Sequence, residues 1–397
     1  MRQRRQQQPG EPQPRRAFLN TLAALSVAGT ASAQSPAPAS PPATTTSPSP
    51  IIEKNRNFPS AAVRYADPAT EFTVVRLTDP QYSSHISSKV GGPGGNRVLT
   101  THGLLYASDL TGAWQAFWMD LKKRRFRQLT DATGLDIDSL SLMTNERGVY
   151  YCDEAGVHES EMGGVKKARD IYRTPAGWTK TPGVSYNDVN THAAFVESNA
   201  GMQRLRLLDL AKGTVTTLME TPEELGDPLF RPRHTSLLYR QQAGVQQIGF
   251  DGAQNKPVPL AEGDTPHFQW ALDGHALLYL NRPTDPAKLT ALREWTPESN
   301  ADALVANTSQ FVRFQANPNA SVFIGSSGSK ASPYILLLTR AGKRELTLAE
   351  HRAGDARLTA PQFAPNSQAI LFTSNRHGKP AIYWISVDKL VTETDGS

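Results

Sequence analysis

The residues that could carry chemistry are scattered, because the chain contains none of the common local catalytic motifs. No Gly-x-Ser-x-Gly elbow occurs, which argues against a serine hydrolase of the usual kind. Neither Cys-x-x-Cys nor His-Glu-x-x-His occurs, so a local zinc signature is missing. The run Gly91–Gly95 lacks the Lys-Ser/Thr of a phosphate loop and is interpreted as a flexible turn. Isolated histidines and arginines remain, and these can hold a metal, move a proton or bind a carboxylate.

The elements that must position such side chains form a repeat. The stretch from Leu104 to Asp131 contains an apolar run, a polar turn, an alternating aromatic run, a charged turn and a short last strand. This pattern predicts three strands joined by two hairpins, a unit that cannot bury its apolar faces alone. Similar apolar strands recur at Val149–Tyr151, Ala193–Val196, Leu237–Tyr239, Ala276–Leu280, Val322–Ile324 and Ile370–Ser374.

The two ends of the repeat indicate a closed ring. The seventh copy lacks a closing strand, whereas Phe72–Thr78 resembles the end of the first copy, Phe126–Thr130, and precedes any copy that it could finish. Pairing of this N-terminal strand with the last copy would remove an exposed sheet edge. Residues 72–388 then divide into seven units of about 45 residues, the size of a four-stranded propeller blade. The predicted fold is an all-β, seven-bladed β-propeller, with six or eight blades or a pair of β-sandwiches as alternatives.

The N-terminus has the pattern of an export signal. Arg15-Arg16-Ala17-Phe18-Leu19 precedes a short apolar run and the small-residue site Ala31-Ser32-Ala33, which predicts a twin-arginine signal peptide over residues 1–33. A general secretory signal and an uncleaved anchor are the alternatives. Residues 34–60 are rich in Pro, Ala, Ser and Thr and predict a disordered linker, with the propeller at 61–390.

Charge and cysteine content limit the classes of partner. Residues 1–33 contain five arginines and one glutamate, so only +1 of the net charge of +5 belongs to the rest of the chain. This balance argues against nucleic acid and anionic membranes as partners. The basic run Lys122–Arg125 is interpreted as a solvated hairpin turn. Cys152 is the only cysteine, so no intramolecular disulfide can form.

Several segments together resemble the oligogalacturonate lyase family, with weaker features shared by TolB-type, WD40-like propellers. The more specific segments are Gly226-Asp227-Pro228-Leu229-Phe230-Arg231-Pro232 and His267-Phe268-Gln269-Trp270, and the resemblance extends from about residue 70 to about residue 388. It implies β-elimination of uronate chains in pectin degradation, with a base that removes a proton and a manganese ion that neutralises the carboxylate.

The resemblance places candidate site residues individually. His267 stands at a metal position three residues before Trp270, and it is the candidate ligand or acid/base. Arg231 is the candidate catalytic and substrate-binding arginine, and Arg313 a second carboxylate-binding residue. The alternatives are a satisfied polar role for His267, a surface position for Arg313, and pairing of Arg231 with Asp227.

The same resemblance is incomplete at the metal and the base. Two metal-ligand histidines correspond to Leu358 and Ala360, and a glutamine ligand corresponds to Asp355. The histidine of the GHPxYRP segment is replaced by Asp227, and the nearby histidine that would supply the base corresponds to Gln241. These substitutions predict a degenerate manganese site with no cofactor, and Asp227 and Gln241 as substrate-binding side chains at most.

The sequence thus predicts an exported, periplasmic or secreted monomer that resembles a polysaccharide lyase with impaired or absent activity. It would bind acidic uronate oligosaccharides and, if active, cleave them by β-elimination. The alternative is a non-catalytic TolB-like propeller that serves as an interaction scaffold for an envelope protein. Neither predicted function involves a nucleic-acid partner, and neither involves a membrane span once the signal peptide is removed.

Overall fold

The computed structural model describes residues 54, 56–89, 95–163, 168–242, 244–308 and 310–391. The predicted signal peptide and most of the predicted linker lie outside the described residues, as does most of the run Gly91–Gly95. None of the helices in the described part of the chain has the length and apolar character needed to cross a membrane.

Seven antiparallel sheets make up the described structure, and each is one blade of a propeller. Alternating apolar residues and short polar turns produce the strands, and the blades bury their apolar faces against their neighbours. Three short strands precede the first complete blade: β1 (Phe58–Pro59), β2 (Val63–Ala66) and β3 (Thr73–Arg76).

The first four blades follow in chain order. Blade one has β4 (Ser84–His85), β5 (Gly103–Ser108), β6 (Gln115–Asp120) and β7 (Arg125–Gln128); blade two has β8 (Asp136–Leu142), β9 (Gly148–Cys152), β10 (Gly156–Glu161) and β11 (Arg169–Arg173). Blade three has β12 (Thr179–Lys180), β13 (Ser185–Tyr186), β14 (His192–Asn199), β15 (Met202–Asp209) and β16 (Val215–Thr221); blade four has β17 (Leu225–Phe230), β18 (Ser236–Gln241), β19 (Gly244–Gly249) and β20 (Lys256–Pro257).

The last three blades complete the ring. Blade five has β21 (Phe268–Trp270), β22 (Leu277–Asn281), β23 (Thr290–Thr296) and β24 (Ala301–Thr308); blade six has β25 (Phe311–Ala316), β26 (Val322–Ser327), β27 (Tyr334–Thr339) and β28 (Glu345–Glu350). Blade seven has β29 (Gln362–Phe363), β30 (Ala369–Ser374) and β31 (Ala381–Ser386); a 3₁₀ helix, Ala356–Thr359, precedes it, and a short helix, α1 (Asp388–Val391), follows it.

The ring closes through the N-terminal strand, as the sequence predicted. β3 pairs antiparallel with β31, with Val75 opposite Trp384, and β2 extends the same sheet. This pairing covers the edge that β31 would otherwise expose. β1 extends blade one by pairing Phe58 with Phe126. The seven-bladed architecture and its closure are therefore confirmed.

The apolar core lies between neighbouring blades. Trp270 is fully buried and packs with residues of blades four and five, including Leu229, Leu238 and Tyr279. Trp270 is therefore a core residue of the blades. Cys152 is buried and free, and burial raises the pKa of its thiol to about 11.

Candidate functional site

A charged cavity lies where the first strands of blades three to six begin. This inner cavity has a volume of about 100 Å³ and opens toward a wider space, the outer basin, of about 1250 Å³. The inner cavity is lined by Ser88, Lys89, Gly183, Val184, Ser185, Asp227, Pro228, Leu229, Arg240, Pro266, His267, Phe268 and Arg313. Asp227, Arg240 and Pro266 line both spaces, so the two adjoin.

Irregular pairing in the first strands aims charged residues at this cavity. The register of β17 on β18 shifts between Gly226 and Leu229, and Asp227 in this bulge has a positive φ of 47°. The register of β25 shifts before Arg313, and that of β8 shifts between Asp136 and Ser141. A bulge bends a strand and redirects a side chain that regular alternation would place on a blade face. The site is therefore built where the repeat is locally broken.

Among the described residues, Asp227 is the one carboxylate that lines the inner cavity, and two cations bind it. Its Oδ1 accepts a hydrogen bond from Lys89 Nζ, and its Oδ2 accepts one from Arg240 Nε at 3.1 Å. Burial alone would raise the pKa of Asp227, but the charges and hydrogen bonds of Lys89 and Arg240 outweigh it and hold that pKa well below its usual range. Asp227 is therefore an ionised counter-charge at neutral pH.

Lys89 reaches Asp227 from the segment that follows β4, and this segment is tied to two other blades. The backbone N–H of Ser88 donates to Asp138 Oδ1 at 2.5 Å, which fixes the segment to blade two. The carbonyl oxygen of Ser88 accepts from Arg313 Nη2, and Arg313 Nη1 donates to the carbonyl oxygen of Arg357 at 3.0 Å. Blades one, two, four and six thus meet at the cavity.

His267 lines the same cavity immediately before β21. Its ring stands edge-on to Phe314, with 5.0 Å between ring centroids, and its buried Nδ1 has no hydrogen-bond partner among the described residues. Burial lowers the pKa of His267 well below its usual value, and the nearby Arg313 lowers it further. The imidazole is therefore neutral at pH 7, with one nitrogen free to accept or donate a hydrogen bond.

Of the residues predicted from sequence, the structure brings His267, Asp227 and Arg313 together at the inner cavity. Asp355 lies at the outer basin, where it caps the 3₁₀ helix and pairs with Arg357 at 2.8 Å. The hydrogen bond from Arg357 holds the pKa of Asp355 below its usual range. Asp355 is thus paired with a neighbouring cation, and it does not line the inner cavity with His267.

Arg231 and Gln241 point elsewhere. Arg231 is buried between blades four and five, where it donates to the carbonyl oxygen of Gly274 at 2.8 Å, pairs with Glu298, and lies 5.1 Å over the Trp270 ring. The alternative that Arg231 pairs with Asp227 is wrong, because Lys89 and Arg240 occupy that carboxylate. Gln241 donates to Glu223 and does not line either space.

Sequence reasoning missed Lys89 and Arg240, which line the inner cavity, and Asp138, which accepts the N–H of Ser88 beside it. The resemblance pointed to Gln241, whereas its neighbour Arg240 on β18 lines the cavity. Adjacent side chains of a strand lie on opposite faces, so the assignment to Gln241 was wrong by one residue. Lys89 and Asp138 had no local signal, since one follows a two-residue strand and the other lies in a bulge. Their positions depend on contacts between blades.

The residues present do not fit a manganese ion. Manganese is held by carboxylate, carbonyl and imidazole donors, whereas the neighbours of His267 in the inner cavity include the cations of Lys89, Arg240 and Arg313. Both oxygens of Asp227 already accept hydrogen bonds from two of these cations. In the part of the chain that the structure describes, no group of three or more His, Cys, Asp or Glu side chains is arranged to hold a metal. Leu358 is half exposed and Ala360 is buried, and neither side chain offers a donor.

Two known proteins are similar in sequence to this chain over most of its length. The chain is 25% identical over 393 residues to the oligogalacturonide lyase of Pectobacterium atrosepticum, across 85% of this chain and 98% of the relative. It is also 25% identical over 378 residues to the oligogalacturonate lyase of Dickeya dadantii, across 81% of this chain and 95% of that relative. No protein-family model matches the chain.

A solved structure shows the same fold. An oligogalacturonate lyase in complex with manganese superposes with a TM-score of 0.79 at 21% identity, and the match covers 86% of this chain and all of that structure. The two sequence relatives are also matched over nearly their whole length. The similarity therefore extends over the propeller and is not limited to a fragment of it. The chain is therefore a seven-bladed β-propeller homologous to the oligogalacturonate lyase family.

Proposed function

We propose that this protein is exported and binds acidic uronate oligosaccharides at the inner cavity and outer basin, and that it does not cleave them in a manganese-dependent reaction. The observation that carries the proposal is the convergence of Lys89, Arg240 and Arg313 on a cavity with one carboxylate, Asp227. Homology to oligogalacturonate lyases supports a uronate as the ligand.

The chemistry of the cavity suits a sugar carboxylate. Arg313 is half-buried, and its guanidinium lines the cavity next to the neutral His267, whose free Nδ1 suits a hydrogen bond to a ligand oxygen. A partly desolvated cation binds a carboxylate more strongly than an exposed one, because water competes less for both partners. The inner cavity is the right size for a carboxylate, and the outer basin has room for sugar rings.

Calorimetric titration with digalacturonate and trigalacturonate that contain no double bond tests the proposal. Fully methyl-esterified trigalacturonate is the neutral control ligand. We expect the acidic oligomers to bind and the ester to bind much more weakly. Arg313→Gln should weaken binding at least about tenfold, or about 1.4 kcal/mol. Arg344→Gln, an exposed arginine on a turn of the same blade, is the matched control and should leave affinity unchanged.

Two outcomes would contradict this function. If the folded protein binds none of the acidic oligomers, the uronate assignment fails and an envelope protein partner becomes the better candidate. A rise in ultraviolet absorbance from unsaturated products, dependent on manganese and abolished by His267→Ala, would show that the protein is an active lyase of the family's metal-dependent kind.

A further inference from the structure

We propose that the ammonium group of Lys89 is a fixed replacement for a divalent cation at the inner cavity, so that carboxylate recognition there needs no metal. This inference rests on the proposed function and specifies how that site works. A bound metal places positive charge where a carboxylate must be neutralised. A lysine held in place by the fold can supply the same charge.

The stem of Lys89 packs directly against Gly183. A Cβ built on Gly183 would lie 2.8 Å from Lys89 Cε and 3.5 Å from its Cγ, closer to Cε than real Cβ atoms approach. Gly183 also has a φ of +91°, and its N–H donates to Asp136 Oδ2 at 2.9 Å. The lysine stem therefore lies along a glycine whose backbone conformation favours that residue type, and its ammonium group donates to Asp227 at the inner cavity.

The backbone beside Lys89 is held from two sides. Asp138 accepts the N–H of Ser88, and Arg313 donates to the carbonyl oxygen of the same residue. The N–H of Lys89 itself donates to Ser87 Oγ at 3.2 Å. Because these bonds fix the backbone to blades two and six and Asp227 binds the ammonium group, the lysine is positioned before any ligand arrives.

The charges around Lys89 favour an anion and oppose a metal. Asp227 offers no free oxygen, because Lys89 and Arg240 each bind one of its two. The cavity retains a positive balance from Lys89, Arg240 and Arg313 against this one carboxylate. A divalent cation beside His267 would be repelled by all three, whereas a sugar carboxylate would be attracted by all three. The lysine and the metal are thus alternative solutions to one electrostatic requirement.

Calorimetry on the wild-type protein separates this inference from the proposed function. We expect trigalacturonate to bind with the same affinity in EDTA and in excess manganese. We also expect a manganese titration, monitored by electron paramagnetic resonance, to show no saturable site. If trigalacturonate binds only with manganese, the inference is wrong while the proposed function stands. If it binds in neither condition, the proposed function itself fails.

The lysine is tested directly by Lys89→Met, which keeps the stem and removes the charge. We expect at least about tenfold weaker binding of trigalacturonate, in EDTA and manganese alike. Lys89→Arg should retain part of the affinity because it retains the charge. Lys212→Met is the matched control, since Lys212 is exposed on a turn of blade three. Wild-type affinity in folded Lys89→Met would overturn the inference, and the wild-type titrations decide it if that variant does not fold.

Discussion

Asp227 and Arg231 are four residues apart in one segment of blade four, and each forms a charged pair with another blade or segment. Asp227 lies in the β17 bulge, faces the inner cavity, and is bound by Lys89 and Arg240. Arg231 lies just beyond the end of β17, where its side chain is 7% exposed and is covered by Trp270 and Gly274. The first pair adjoins open space that a ligand can enter, and the second closes the interface between two blades.

This difference shows what distinguishes a candidate site from a structural ion pair. The charge of Arg231 is satisfied within the protein, by the carbonyl oxygen of Gly274 and by Glu298, and Arg231 does not line the inner cavity or the outer basin. The cations around Asp227 outnumber the carboxylate that they share. An unbalanced, accessible charge cluster can bind a ligand, whereas a balanced and buried one contributes to the fold.

The largest expected effect comes from the buried arginine. Arg231→Leu should lower the free energy of unfolding by about 2 kcal/mol, because it removes the pair of the buried arginine with the half-exposed Glu298, the contact with Trp270 and the hydrogen bond to Gly274. Urea unfolding measures this loss. Trigalacturonate affinity of the folded variant should equal that of the wild type. An affinity loss with unchanged stability would instead restore Arg231 to the binding site.

A smaller effect on stability is expected from the site carboxylate. Asp227→Asn should lower the free energy of unfolding by about 1 kcal/mol at pH 7, since Asp227 is partly exposed and its pairs are screened by water. Its pKa is held well below its usual range in the folded protein, so this stabilisation is present above the unfolded pKa of about 4 and is lost as pH falls through the folded value.

Unfolding curves from pH 7 to pH 3 test that dependence. The difference between wild type and Asp227→Asn should shrink below about pH 4. Asp264→Asn is the matched control, because its pair with Arg282 is exposed on both sides. A difference that persists undiminished at pH 3 would show that the charge of Asp227 does not stabilise the fold.

The smallest effect is expected at Gln241. Its amide donates to Glu223 and its side chain does not line the inner cavity or the outer basin. Gln241→Met should therefore change the free energy of trigalacturonate binding by less than about 0.5 kcal/mol. Arg240→Met, one residue earlier, should weaken binding clearly. If both variants lost the same affinity for trigalacturonate, the conclusion that Arg240 faces the site and Gln241 does not would be wrong.

The repeat and its closure could be predicted because both depend on local patterns. Alternating apolar residues between short polar turns specify strands, and the likeness of Phe72–Thr78 to Phe126–Thr130 revealed the closing strand. The basic run Lys122–Arg125 was likewise correctly interpreted as an exposed turn between β6 and β7. These features require only neighbouring residues and the period of a strand.

The candidate site was predicted only in part. His267, Asp227 and Arg313 were found through a resemblance, and they do meet at one cavity. Arg231 was assigned to that site by the same route, yet its side chain turns toward Gly274 and Glu298. A residue's position in a motif does not determine its orientation once a bulge interrupts the strand beside it.

The sequence alone determined the number of blades and the closing strand, because both follow from residue identity and periodicity within the chain itself. The tertiary structure decided which charges share a cavity. Lys89 and Asp227 are distant in sequence and meet only when the ring brings blades one and four together around Gly183. Electrostatic interactions act through space, so only the assembled ring shows which cations surround His267.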